Sequence, residues 1–258
     1  MDFYSVSNNI FSSIRSAITP LVGTKTGGST TGLGADGTPT KYIDKIAEDI
    51  AINYIKQNNL CHLLISEEAG KVEIGGEKGT IFLDPVDGTY NAIMDIPFFA
   101  VSLAYAEQGK IIHGFVGNLS NGDIFTASKG KGAFLNNNPI HVSDTADLHT
   151  SAMSIYGKHF QYDQVINLMR KIRRFRQFGA SALELSYVGA GKIDGFVDLR
   201  QTLRATDAAA GVLILEEAGG VVTDRDGKCL LLPDDLNIGN CLVGTNKQLH
   251  GKVIEYLR

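Results

Sequence analysis

Apolar residues recur at helical spacing from the start of the chain. Phe3, Val6, Ile10, Phe11, Ile14 and Ile18 share one face, which predicts an amphipathic helix over about residues 2–20, ended by Pro20. From Gly23 to Pro39 the periodicity gives way to glycine, serine and threonine. A loop of that length predicts either a mobile functional segment or a solvated linker, and the least ordered part of the chain. A second helix over about 40–58 follows, with Ile43, Ala47, Ile50 and Tyr54 turned inward. Short apolar runs come next, at 62–66, 80–83, 98–106, 111–117 and 123–127. The separators Glu-Gln-Gly-Lys and Asn-Leu-Ser-Asn-Gly are turn chemistry, so this part predicts an antiparallel meander. After residue 150 strands at 151–156, 175–178, 194–198 and 219–223 alternate with helices over about 162–172, 180–190 and 206–218. With no proline- or serine-rich linker and no repeat, the expectation is one domain over 1–258. Its sub-domains, about 1–150 and 151–258, would share one layered α/β core.

Charge and composition narrow the function classes. The chain has 258 residues, 24 Lys and Arg against 28 Asp and Glu, for a net charge of −4. That balance argues against a general binder of nucleic acid or of anionic membranes, both of which need a positive field. Hydrophobic residues at 43% and charged residues at 20% exclude disorder as the main state. The longest uncharged apolar run, 96–106, is about half of a membrane span, and no basic-then-apolar leader opens the chain. Cys61, Cys229 and Cys241 form no CxxC pair and predict thiols in a reducing compartment, so the expectation is a cytoplasmic protein.

The strongest chemical signal is Asp84-Pro85-Val86-Asp87-Gly88-Thr89, directly after an apolar strand. Carboxylates at a strand end sit where α/β proteins place ligands. Pro85 fixes the backbone between them, so both side chains and the Val86 carbonyl can converge on one point. Gly88 and Thr89 then open a helical turn whose N–H groups suit a phosphate. The strand at 62–66 also runs into acids, Glu67 and Glu68. If the two strands share a sheet, Glu67, Asp84 and Asp87 meet at one edge. Such a set repels itself unless a hard divalent cation relieves it, and oxygen-only ligands suit Mg²⁺ or Mn²⁺ over Zn²⁺. The six histidines show neither HxH nor HExxH spacing.

The Asp84–Thr89 run with upstream Glu67-Glu68 resembles the metal signature of the inositol monophosphatase family. The second signature of that family is matched by Ala205-Thr206-Asp207-Ala-Ala-Ala-Gly211 and the later Glu-Ala-Gly219-Gly220. The likeness runs from the first helix to the C-terminus. Thr206 stands where many members carry Trp, and together with the stretch 34–40 this resembles the archaeal-type branch, whose members act on inositol-1-phosphate and fructose-1,6-bisphosphate.

The resemblance implies a layered αβαβα five-layer sandwich and a Mg²⁺-dependent phosphomonoesterase using two or three ions. It assigns Glu67, Asp84 and the Val86 carbonyl to one metal, and Asp84, Asp87 and Asp207 to a second. Read without the family, Asp207 could simply cap the helix that follows. Asp44 matches the acid that pairs with the motif threonine, so Asp44 and Thr89 would position and deprotonate the attacking water. Taken alone, Asp44 is a solvated helix residue. Asp87, Gly88, Thr89, Arg176, Ser181 and Arg200 are the expected substrate contacts: Gly88 and Thr89 for the phosphate, Arg176 and Ser181 for the sugar. Arg200 would face a second phosphate or, equally, lie on the surface. Lys25 and the glycine-rich loop would close over the site. The remaining basic residues of 170–176 fit a solvated helix end. A homodimer is the expected assembly. The alternatives are a phosphatase of 3′-phosphoadenosine phosphate or another nucleotide, and a non-catalytic metal-dependent regulatory protein.

Overall fold

The structure is a computed structural model that describes residues 2–257 except 36, 158–162, 164, 234 and 237. Helix α1 (Phe3–Ile18) begins at Asp2, whose carboxylate accepts the N–H groups of Tyr4 and Ser5. Its predicted apolar face is buried along its whole length. The glycine-rich segment is not a bare loop. It contains a hairpin of β1 (Thr30–Leu33) and β2 (Pro39–Lys41), which leads into α2 (Tyr42–Gln57). The buried face of α2 is Ile43, Ala47, Ala51 and Ile55, with the polar Asp44 and Glu48 also inside, whereas Ile50 and Tyr54 are only half-buried.

An eight-stranded sheet follows. Its strands are β3 (Leu63–Ser66), β4 (Gly70–Glu73), β5 (Thr80–Asp87), β6 (Ala100–Glu107), β7 (Lys110–Asn118), β8 (Ile124–Ser128), β9 (Ala133–Leu135) and β10 (Asn138–Ile140). Their spatial order is β10-β9-β8-β7-β6-β5-β3-β4, and every pairing is antiparallel except β3 with β5. The meander is therefore real, and it ends on the parallel pair that carries the acids.

The second sheet contains β11 (Ala152–Tyr156), β12 (Arg174–Arg176), β13 (Gly195–Leu203), β14 (Val221–Thr223) and β15 (Asn240–Thr245), ordered β12-β11-β13-β15-β14. The sequence pattern did not single out β15 or the terminal helix α7 (Lys247–Leu257). Part of the helix expected over 162–172 falls outside the described residues; α4 spans Ile166–Met169.

Side-chain alternation sorts the layers. On one face of the eight-stranded sheet, Ile81, Leu83, Val101, Leu103 and Phe115 pack with α1 and α2. On the other, Phe82, Ala104, Val116 and Phe125 meet α5 (Ser181–Gly189) and α6 (Ala205–Glu217). The opposite sides of α5 and α6, through Leu185, Val188, Val212 and Leu215, cover Phe196 and Leu242 of the five-stranded sheet. The far face of that sheet packs on α4 and α7. Both sides of α5 and α6 are apolar because each helix lies between two sheets. A Cβ on Gly211 would come within 2.7 Å of Leu185 Cβ, so glycine lets the two helices approach. The result is the αβαβα five-layer sandwich.

Candidate active site

β3 and β5 run parallel with Ser66 opposite Leu83, so the residues just beyond, Glu67 and Asp84, stand side by side. The register of β5 against β6 then slips: Asp84 pairs with Ser102 but Asp87 with Ala100. One extra residue is accommodated at Pro85, which has no N–H to lose from the ladder. The Asp84 carboxylate accepts the Val86 N–H at 3.0 Å, tightening the turn. Gly88 follows at φ 91°, a conformation that favours glycine, and α3 (Thr89–Ile93) begins.

Asp207 arrives from the first turn of α6. Glu67, Asp84 and Asp207 each offer a carboxylate oxygen within 4.8 Å of the others. Asp84 is buried, and the other two are half-buried. Burial is the main cause that pushes the Asp84 carboxyl well above its usual range, with Glu67, Asp87 and Asp207 adding to it. Glu67 is raised to about 7 by burial and by Asp207, against the pull of Arg204. Oxygen donors at this spacing, crowded enough to resist ionising together, fit a hard divalent cation.

Asp87, expected to bind metal, also holds the start of α5. Its Oδ1 accepts the Ser181 N–H at 2.9 Å, and its Oδ2 accepts those of Ala182 and Leu183 at 2.8 and 3.3 Å. It thereby caps α5, and its carboxyl is still raised by burial and by Asp207. The Val86 carbonyl accepts the Thr89 hydroxyl at 3.0 Å. That hydroxyl also lies 2.9 Å from Asp44 Oδ1, where it can donate instead. Asp44 is buried, not solvated as its helix position alone suggests, and burial lifts its carboxyl to about 8. Asp207 does not cap its helix at the first residue. Arg204 holds that place, and Asp207 accepts the Arg204 N–H at 2.9 Å from three residues on.

Arg204 is the residue the sequence pattern missed. Its guanidinium pairs with Glu67 and lies 3.3 Å from Asp207, and both acids raise its affinity for the proton against the effect of burial. A signal existed: a cation at a helix start opposes the helix dipole and calls for local carboxylates. Glu48 was also missed. It is buried on α2 and accepts the Ser66 hydroxyl at 2.5 Å and the Ala69 N–H at 2.7 Å, which fixes the turn carrying Glu67. The β1–β2 hairpin is tied to the same turn, since Thr40 Oγ1 donates to Glu68 and the Ala35 N–H donates to the Glu68 carbonyl at 2.9 Å.

The arginines separate. Arg176 is exposed on the edge strand β12, and its guanidinium donates to the Phe175 carbonyl; no hydrogen bond or ion pair among the described residues joins it to the acids. Arg170 ends α4, while Arg173 and Arg174 run into β12, so the basic run is not one helix end. Arg200 grips the fully buried Asp198 through Nε and Nη2, at 3.1 and 2.6 Å, and lies 4.3 Å over the Tyr156 ring. A cavity of about 490 Å³ is lined by Thr38, Arg200, Arg204 and Asp207, so Arg200 borders the same space as Asp207 of the acid cluster. Ser181 is the first residue of α5, as expected.

Comparison with known proteins identifies the family. Residues 4–258 match the model of the inositol monophosphatase family. A fructose-1,6-bisphosphatase/inositol-1-monophosphatase of Methanothermobacter thermautotrophicus is 42% identical, over 95% of this chain and 92% of the relative. A bifunctional NADP phosphatase/NAD kinase of Methanococcus maripaludis is 38% identical over 98% of this chain, which spans 49% of that longer protein. A solved inositol monophosphatase–fructose 1,6-bisphosphatase superposes with a TM-score of 0.92 at 32% identity, covering 100% of both chains. The chain therefore belongs to the inositol monophosphatase family, whose named relatives include phosphoric monoester hydrolases.

Proposed function

We propose that this chain hydrolyses the phosphomonoesters of small sugars and polyols, inositol-1-phosphate and fructose-1,6-bisphosphate among them, with Mg²⁺ as the resident cation. The observation that carries the reading is the convergence of Glu67, Asp84 and Asp207 beside the Asp44–Thr89 pair. A divalent cation held by those carboxylates supplies Lewis acidity toward phosphoryl oxygens and neutralises their charge. Thr89 Oγ1 stands where it can take a proton from a water and pass its own to Asp44 Oδ1. The elevated affinity of Asp44 for a proton, near neutrality, matches a general base at physiological pH. The Gly88 and Thr89 N–H groups are assigned to the phosphate. Asp87 is assigned to a second cation with Asp84 and Asp207, and it also holds the start of α5, which places Ser181 beside the same turn. Phosphoryl transfer demands charge neutralisation and alignment more than a protein nucleophile, and none is needed here.

A second reading is favoured by the relative named as an NADP phosphatase: the phosphate removed could be that of a nucleotide. Phosphate release from inositol-1-phosphate, fructose-1,6-bisphosphate, NADP and 3′-phosphoadenosine phosphate, with Mg²⁺ and with chelator, decides between them. The expected result is Mg²⁺-dependent turnover, greatest on the sugar and polyol esters. Turnover greatest on NADP would replace the first reading with the second. We also place the enzyme in the cytoplasm as a homodimer, which analytical ultracentrifugation tests for the assembly.

A further inference from the structure

Arg200 and Asp87 sit on different sheets, yet one unbroken line of contacts joins them. The Arg200 guanidinium rests over the Tyr156 ring at 4.3 Å. The Tyr156 hydroxyl donates to Glu184 Oε1 at 2.6 Å and accepts the Gly179 N–H at 2.8 Å. Glu184 is wholly buried on α5, and the same oxygen takes the N–H groups of Gly179 and Ala180 at 3.0 and 3.4 Å. The residues that follow, Ser181, Ala182 and Leu183, give their N–H groups to Asp87. The start of α5 is thus held from two sides, by Glu184 of its own first turn and by Asp87 of β5. Gly179 at φ 85° makes the tight approach, and a Cβ on Gly88 would come within 3.1 Å of the Gly179 carbonyl, so the two glycine turns touch. Neither Tyr156 nor Glu184 reaches the acid cluster through any hydrogen bond described.

We propose that Tyr156 and Glu184 are positioning residues that couple the seat of Arg200, at the far end of the substrate, to the seat of Asp87. Two separable jobs meet in Tyr156. Its ring supports the guanidinium that meets a second anionic group, and its hydroxyl completes the acceptor that fixes the turn before α5. Glu184 serves only the second job. A buried carboxylate accepting three donors is costly to disturb, because any donor left unmatched keeps its full desolvation penalty. The inference rests on the sugar-phosphatase reading above, and Arg200 recognises the second phosphate of a bisphosphate by the charge-assisted contact its fork geometry suits.

The test compares Tyr156→Phe, Tyr156→Leu and Glu184→Met in the full chain. The readouts are kcat and KM on inositol-1-phosphate and fructose-1,6-bisphosphate, a Mn²⁺ titration followed by electron paramagnetic resonance, and a thermal melt. Tyr156→Phe and Glu184→Met, the first removing one acceptor and donor and the second removing the acceptor of all three donors at similar volume, are expected to lower kcat about tenfold on both substrates, leave the KM ratio unchanged, and weaken Mn²⁺ binding about tenfold. Tyr156→Leu is expected to add a rise in KM of about tenfold for the bisphosphate alone. Failure of Tyr156→Leu to fold leaves the decision to the other two variants. Unaltered Mn²⁺ affinity and kcat in those two, with only a lowered melting temperature, would overturn the proposal. So would a KM rise of equal size on both substrates in Tyr156→Leu. If the wild-type protein hydrolyses neither ester, the sugar-phosphatase reading fails by itself, and the Mn²⁺ titration still decides whether Tyr156 and Glu184 hold Asp87 in place.

Discussion

The acid cluster, through Asp207, and the Arg200 shelf border one cavity and treat charge in opposite ways. Glu67, Asp84 and Asp207 crowd together with Arg204 as their guanidinium partner, and burial with mutual repulsion raises the carboxyls of Glu67 and Asp84. At Arg200 the account is closed. Its guanidinium lies against the fully buried carboxylate of Asp198 and above an aromatic face. The first region gains from a cation supplied from outside. The second is already neutral, held in shape, and left with part of its guanidinium at the cavity. An enzyme that must bind both a metal and a charged ester benefits from having one centre unsatisfied and the other rigid.

The largest expected effect comes from breaking the unsatisfied centre. Asp84→Asn should cut turnover by more than about 100-fold, beyond what loss of an outer-shell partner typically costs. Its melting temperature in chelator should be unchanged or higher, because one of the repelling acids is gone. An inactive variant that also melts far below the wild type would assign Asp84 a structural role instead.

Asp44→Asn removes the acceptor for the Thr89 proton and should lower kcat by about 10²-fold, the low end for loss of a general base. Its acidic limb in the pH–rate profile should vanish. Persistence of that limb would move the base to another group.

The rigid region calls for a paired change, because Arg200→Gln alone would strand the Asp198 charge in the core at a cost of about 3–5 kcal/mol. The double variant Arg200→Gln with Asp198→Asn should fold and lose about tenfold or more in kcat/KM on fructose-1,6-bisphosphate, with little change on inositol-1-phosphate. Equal losses on both esters would show that Arg200 does not discriminate the second phosphate.

The smallest effect is a slope in stability. Asp44 and Glu67 are raised in the folded chain to about 8 and about 7, from ordinary values of 3.8 and 4.5. Between the ordinary and the raised values the folded state binds more protons than the unfolded one. Stability in chelator should therefore be greatest below about pH 4 for these two groups, and fall as pH rises through 7 and 8. A drop of several degrees in melting temperature between pH 5.5 and 8.5, abolished by Mg²⁺, is the expected observation. A flat profile in chelator would mean that the two carboxyls are not raised.

Local patterns carried much of this architecture. The helical stripe from Phe3 to Ile18 and the meander from β5 to β8 depend on side-chain periodicity and turn residues, which are properties of short segments. The motif Asp84–Thr89 is likewise local, since Pro85 and Gly88 dictate the backbone around the acids. Other features depend on long-range packing. Ile50 and Tyr54 had the spacing for burial, yet Ala51 and Ile55 lie inside, because α1 and the sheet set the rotation of α2. β15 and α7 went unrecognised, although burial of Leu242 and Val243 between two layers makes that stretch a strand.

For the site, the chain by itself determined which oxygens are present and that Glu67 and Asp84 end adjacent apolar runs. Tertiary structure decided how they are used. The parallel register of β3 and β5 brings Glu67 to Asp84, α6 carries Asp207 and Arg204 to both, and the start of α5 takes up the carboxylate of Asp87. Arg176 and Arg200 looked alike as cations in sequence. Only the sheet order left one on an exposed edge and laid the other over Tyr156 against Asp198. The reason is physical: short-range sterics and periodicity are written in neighbouring residues, whereas the free energy of a buried charge depends on groups brought from the far ends of the chain.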